Sequence, residues 1–185
     1  MTHTTLWSPD RYARAARFAA IAHLGQKVPG GDLPYLLHVV AVAGEVMAAV
    51  ALEPVADPDL AVTCALLHDT IEDTGVTQAT VDAEFGPAVA AGVLALSKNP
   101  DLPKAQAMAD SLRRIRDQPR EIWIVKLADR IVNLERPPHY WQPAKIAAYR
   151  VEAIAIADAL GPASPYLNHR LRNKIAEYQQ FIPPA

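Results

Sequence analysis

The sequence holds a single cysteine, Cys64, so no internal disulfide can staple the fold. That fits a reducing compartment, and a cytoplasmic location is the expectation. No run of about 18 apolar residues occurs, which argues against a transmembrane helix. Polar Thr and His near the start leave no apolar core for a secretory signal. Neither sign of charge dominates: 18 Lys and Arg face 20 Asp and Glu, a formal net charge of −2. There is thus no broad basic surface for nucleic acid or for an anionic membrane, and a polyanionic ligand must find a local basic pocket. Sustained strand alternation with hairpin turns is also missing, as are repeats, linkers and low-complexity segments.

What is present is an ordinary globular composition, 51% apolar and 21% charged, in 185 residues. This suits one domain over residues 1–185 with a real core. Proline and capping residues punctuate helical periodicity. Ser8-Pro9-Asp10 starts a helix over about 9–25, and a second runs from about Tyr35 to Val50. A third covers about 58–72. Thr77 caps one to Phe85, and Gly86-Pro87 opens another to about Ser97. Further helices are expected over 104–117, 119–134, 142–160 and 165–181. Ile122, Trp123, Ile124 and Val125 could be read as a strand, but length and the following pattern favour a buried helix. The fold class is all-α, and the Ala-rich stretch Val39 to Ala51 suits either the core or a homo-oligomer contact.

The chemistry concentrates in Ala65-Leu66-Leu67-His68-Asp69-Thr70-Ile71-Glu72-Asp73-Thr74. On one helix, His68 and Glu72 are four apart, as are Asp69 and Asp73, and all four side chains fall within roughly 140°. A solvated charged face would mix signs, yet no Lys or Arg is present. Three carboxylates brought together behind an apolar run call for a cation. Two distant positions can complete a ligand set. His38 lies in an apolar setting and suits either a packed core or a ligand. Asp129, in Ile124-Val125-Lys126-Leu127-Ala128-Asp129, suits an intrahelical pair with Lys126 or a cation across the bundle. Two imidazoles and two carboxylates fit a hard to borderline divalent ion with positions left for water, not a closed thiolate zinc site. Glu72 and Asp73 stand one turn on, where a carboxylate can orient an attacking water or accept its proton.

The order His38 … His68-Asp69 … Asp129 resembles the HD superfamily of metal-dependent phosphohydrolases. Ala22-His23-Leu24-Gly25-Gln26, Pro34-Tyr35-Leu36-Leu37-His38, the His68-to-Thr74 run, Phe85-Gly86, Leu96-Ser97-Lys98 and Val125-Lys126-Leu127-Ala128-Asp129-Arg130-Ile131-Val132-Asn133-Leu134 are similar, in order, to the hydrolase domain of RelA/SpoT-type enzymes. The resemblance implies a single-domain HD-type helical bundle and a stand-alone hydrolase that removes the 3′-pyrophosphate of (p)ppGpp-like alarmones. It implies one Mn²⁺ on His38, His68, Asp69 and Asp129, with Glu72 and Asp73 activating water and Asn133 near the ribose. Tyr149 takes the place of a tyrosine turned to the phosphates, and Lys145, one turn earlier, is a further candidate substrate contact.

The loop after Gln26 departs from the pattern. Relatives carry an Arg-Lys pair there that sandwiches the purine; this chain reads Lys27-Val28-Pro29-Gly30-Gly31-Asp32-Leu33. Only Lys27 is basic, and an Arg plane is not replaced by Val or Pro. The base, guanine or adenine, is therefore open. Phosphate contacts can come from Lys98, Lys104, Arg136 or Lys145, each also explicable as surface charge. His23 reads as helix packing, and His139-Tyr140-Trp141 as a loop able to close over a base. Hydrolysis of another nucleotide phosphoester and a non-catalytic nucleotide sensor are the competing functions.

Overall fold

Prolines and side-chain caps open the helices much as the sequence leads one to expect. Pro supplies a fixed φ and has no N–H to leave unpaired in the first turn. Ser8, Asp57, Thr77 and Ser164 each accept a hydrogen bond from the backbone N–H three residues on. The computed structural model describes residues 6–183, so the ends of the expected 1–185 domain lie outside the described residues. Its helices are α1 (Pro9–Ala22), α2 (Leu36–Leu52), α3 (Pro58–Leu67), α4 (Thr70–Asp73), α5 (Gln78–Phe85), α6 (Pro87–Leu96), α7 (Lys104–Arg116), α8 (Arg120–Asn133), α9 (Pro143–Leu160) and α10 (Pro165–Tyr178). Single 3₁₀ turns follow α9 and α10. Among the described residues no strand forms; one backbone bridge joins Lys27 and Pro34. The fold is all-α, and the apolar run at Ile122–Val125 is helical within α8.

Helix α3 is the axis of the bundle: Leu60 through Leu67 are all buried. It packs against α1, α2, α6 and α8, and α9 and α10 cover α8. Gly92 permits the close α3–α6 approach, since a Cβ there would lie 3.0 Å from Cys64 Sγ and 2.5 Å from Ile122 Cδ1. Leu66 and Leu67 are fully buried, and truncating either to Ala should cost about 2–5 kcal/mol.

Two of the differences at helix ends bear on the site. Helix α1 stops at Ala22 and does not run to residue 25, because Gly25 takes a left-handed φ of +82° and reverses the chain. The expected single helix over 58–72 is broken at His68-Asp69. Thr70 Oγ1 donates to the Leu67 carbonyl at 2.7 Å, competing with the helical ladder there. Asp69 relaxes to φ −99°, ψ −1°, and one further turn, α4, follows. The break falls between His68 and the turn that carries Glu72 and Asp73, while Asp73 N–H still donates to the Asp69 carbonyl at 2.9 Å.

Candidate metal centre

The C-terminal end of α3 carries His68 and Asp69 into the middle of the bundle. The first turn of α2 brings His38, and the centre of α8 brings Asp129. His38 Nε2 lies 3.3 Å from His68 Nε2 and 3.5 Å from Asp69 Oδ2. His68 Nε2 lies 2.9 Å from Asp69 Oδ2, and Asp129 Oδ1 is 3.6 Å from each imidazole nitrogen. Ligand atoms bound to one divalent ion at about 2.0–2.2 Å stand roughly 3.0–3.5 Å from one another. These four donors fit such an ion in spacing and in chemical type. The tightest set, His38, His68 and Asp69, lies within 4.8 Å, and Asp129 joins it through both histidines.

The surrounding bonds orient His68, Asp69 and Asp129. His68 Nδ1–H donates to the Ala65 carbonyl at 2.8 Å, leaving the Nε2 lone pair for the cluster. Tyr35 hydroxyl donates to Asp69 Oδ2 at 2.6 Å. Lys126 Nζ donates to Asp129 Oδ2 at 3.0 Å, and Asn133 Nδ2 donates to Asp129 Oδ1. Asp129 thus has the intrahelical Lys126 pair on one oxygen and faces the histidines with the other. Burial works against a charge on His68, yet the Asp69 and Asp129 carboxylates outweigh it and raise its pKa well above the usual value. Burial also opposes ionisation of Asp69 and Asp129. His68 and the hydrogen bonds at Asp69, and Lys126 and His68 at Asp129, nevertheless hold both low. The field of the site calls for positive charge.

Glu72 and Asp73 point to different neighbours. Glu72 accepts from the Lys98 backbone N–H and from Lys98 Nζ, both at 2.7 Å. Burial disfavours the Lys98 charge, but Glu72 foremost, with Asp129 and Asp69, raises its pKa and keeps it cationic. Asp73 Oδ2 accepts from Gln26 Nε2 at 3.3 Å. Partial burial, then the Asp69 and Glu72 carboxylates, push the Asp73 pKa up. A cavity of about 520 Å³ beyond Glu72 is lined by Ile71, Ser97, Lys98 and Arg114. Its Arg114 is committed to Asp110 and to the carbonyls of Leu94, Ala95 and Ser97.

On the other side, His38, Asn133 and Tyr149 line a cavity of about 470 Å³ with Val28, Pro29, Leu33, Leu37 and Trp141. Arg130 stacks on Tyr149 at 4.1 Å, and Trp141 meets that ring edge-on at 5.1 Å. Lys27 is not brought to this wall; it is exposed and pairs with Asp32 at 2.6 Å. Lys145 covers Trp141 at 4.0 Å from the ring centre. Arg136 lines the cavity, and the Lys104 side chain lies outside the described residues. The sequence reading passed over Tyr35, whose signal was its place three before His38, and Gln26, three after His23.

A family model described as HD domain matches residues 15–158. A guanosine-3′,5′-bis(diphosphate) 3′-pyrophosphohydrolase of Danio rerio is 28% identical over 172 residues, covering 86% of this chain and 89% of its own. A protein of the same activity name from Vibrio cholerae is 38% identical over 120 residues, 61% of this chain and 16% of that one. A GTP pyrophosphokinase of Myxococcus xanthus is 32% identical over 164 residues, 82% of this chain and 21% of that one. The chain therefore spans about a fifth or less of these bacterial relatives. A solved structure described as a metazoan ortholog of SpoT that hydrolyses ppGpp has the same fold, with a TM-score of 0.81, 23% identity, and coverage of 98% of this chain and 100% of that one.

Proposed function

We propose that this chain, which belongs to the HD domain family, is a metal-dependent pyrophosphohydrolase that removes the 3′-pyrophosphate of an alarmone nucleotide. Water is consumed, the nucleotide 3′-hydroxyl is regenerated and pyrophosphate leaves. The observation that carries this reading is the convergence of His38, His68, Asp69 and Asp129 beside a nucleoside-sized cavity that shares His38. A divalent ion on those residues, Mn²⁺ being suited to the mixed imidazole and carboxylate set, would supply Lewis acidity and a water of lowered pKa.

The chain's own groups provide the rest. Asp73, one turn on from Asp69 and held by Gln26, accepts the proton of the attacking water. Glu72 holds the Lys98 ammonium in the field of the cluster, where it offsets charge growing on phosphoryl oxygens. Asn133 keeps Asp129 in place and borders the ribose side of the cavity. Tyr149 and Trp141 form an aromatic wall. Val28, Pro29, Leu33 and Leu37 give that cavity apolar contact in place of a guanidinium sandwich. No described helix is long and apolar enough to cross a membrane.

The test is pyrophosphate release by the Mn²⁺-loaded protein from ppGpp, pppGpp, ppApp and pppApp. GTP, a 5′-nucleotide and a cyclic nucleotide serve as controls. Release from the guanosine compounds supports the assignment with guanine accepted by the apolar wall. Release from the adenosine compounds alone keeps the reaction and changes the base. Cleavage of a control with none of the four cleaved overturns the alarmone reading.

A further inference from the structure

The corner that ends α1 does more than turn the chain. His23 N–H donates to the Ala19 carbonyl at 2.9 Å and Gln26 N–H to the His23 carbonyl at 3.0 Å. Between them Gly25 sits at φ +82°, a conformation strained for residues with a side chain. The reversal brings the Gln26 amide beneath the imidazole, with His23 Nδ1 2.7 Å from Gln26 Oε1. An amide oxygen only accepts, so Nδ1 carries the proton. The Gln26 NH₂ is thereby turned outward, to Asp73 Oδ2 at 3.3 Å. The opposite amide orientation would set Oε1 against a carboxylate.

We infer that His23 and Gln26 are positioning residues for Asp73, acting through this chain of hydrogen bonds. His23 is 4% exposed, and its Nε2 is buried with no partner. A side chain needed only for packing would be cheaper as an apolar one, because an unpaired buried nitrogen costs free energy. The Nδ1 bond to Gln26 gives the imidazole a task that an aliphatic residue cannot perform. The same corner reaches a second carboxylate. Tyr35 N–H donates to the Gln26 carbonyl at 2.9 Å, and the Tyr35 hydroxyl donates to Asp69. The His23 and Tyr35 rings pack at 4.9 Å. Asp69 and Asp73 are thus set relative to each other by one turn of chain outside α3 and α4.

The kinetic side of this inference rests on the proposed pyrophosphohydrolase activity; the geometric side does not. The kinetic test compares Gln26→Leu, His23→Leu, His23→Asn and Asp73→Asn on the Mn²⁺-loaded protein. Gln26→Leu and His23→Leu should lower kcat about 10- to 100-fold with KM and bound metal unchanged. His23→Asn, which offers an amide N–H near the place of Nδ1, should recover most of the rate. Gln26→Leu added to Asp73→Asn should cost nothing more. A wild-type rate in Gln26→Leu, a loss that multiplies in the Asp73→Asn background, or a loss accompanied by loss of metal or of folding would overturn the proposal. Imidazole ¹⁵N spectra of the metal-free wild type decide the geometry independently. A proton on His23 Nδ1 is expected, and one on Nε2 overturns the chain of bonds. If the wild type cleaves no alarmone, the proposed function fails while this spectrum still decides the positioning chain.

Discussion

The candidate metal centre and the wall of the cavity beside it meet at His38 and at Asn133, which also holds Asp129. The centre is built from helix interiors and helix ends, with His38, His68 and Asp129 only 7%, 3% and 5% exposed. Its carboxylates are tied by Tyr35, Lys126 and Asn133 before any ligand arrives. The wall comes from the turn before α2, the start of α2, the end of α8, the segment between α8 and α9, and Tyr149 of α9. Leu33 and Leu37 stand 57% and 52% exposed there, and Arg136 has no fixed partner among the described residues. A cluster organised in advance stabilises charge without reorganising during the reaction. A wall of exposed apolar side chains gains its contacts only when a base covers them. The difference predicts steep losses at the centre and graded ones at the wall.

The largest effect should come from Asp129→Ala or Asp69→Ala. Each should abolish metal retention and activity together, a loss beyond the roughly 100-fold of an outer-sphere change. Metal content after gel filtration, read beside turnover, checks this. An active, metal-loaded Asp129→Ala would break the contrast outright. Next comes Asp73→Asn, which should keep the ion and lose about 10²- to 10⁴-fold in kcat, as removal of a general base does. The same variant, stripped of metal, should be more heat-stable at neutral pH than the metal-free wild type. Asp73 has a folded-state pKa above its ordinary value. Its stabilising contribution is therefore present below the unfolded pKa and lost as pH rises through the folded one. Removing the ionised carboxylate relieves that cost, and the gain should vanish at low pH. Glu72→Gln removes one of the charges that raise the Asp73 pKa, so in the metal-free protein the pH at which this gain sets in should move lower. Tyr35→Phe follows in size. It deletes a single hydrogen bond to Asp69 and should weaken Mn²⁺ binding about 10- to 100-fold in a metal titration.

How far the sequence was legible divides along the same line. Helix starts were readable because Pro and a capping oxygen act within three residues of each other. The break at His68-Asp69 was not, because a threonine hydroxyl competing for the Leu67 carbonyl leaves the hydrophobic periodicity untouched. Spacing placed His68 and Asp69 together. It left open whether His38 and Asp129 were core or ligand; only the resemblance joined them, and the structure brings all four within 3.6 Å of a neighbour in the cluster. His23 reads as packing because Asp73, the residue it reaches through Gln26, lies 47 positions from Gln26. The Lys27 pair with Asp32 was within reach of the sequence, being five positions long and inside one turn of chain.

The wall supplies the smallest effects, and two variants separate its working part from its ornament. Trp141→Ala removes the ring that meets Tyr149 and carries Lys145. It should raise KM about 2- to 12-fold, the worth of one aromatic contact of roughly 0.5–1.5 kcal/mol, with kcat and metal content unchanged. Lys27→Ala should change KM by less than about twofold, since an exposed ion pair contributes little and its loss frees only Asp32. The two measurements together test whether base affinity rests on the aromatic and apolar surface or on the basic residue that opens the loop. If Lys27→Ala raised KM more than Trp141→Ala, the lysine would have to leave Asp32 and swing to the substrate. The wall would then reorganise around charge, and its apolar lining would be secondary.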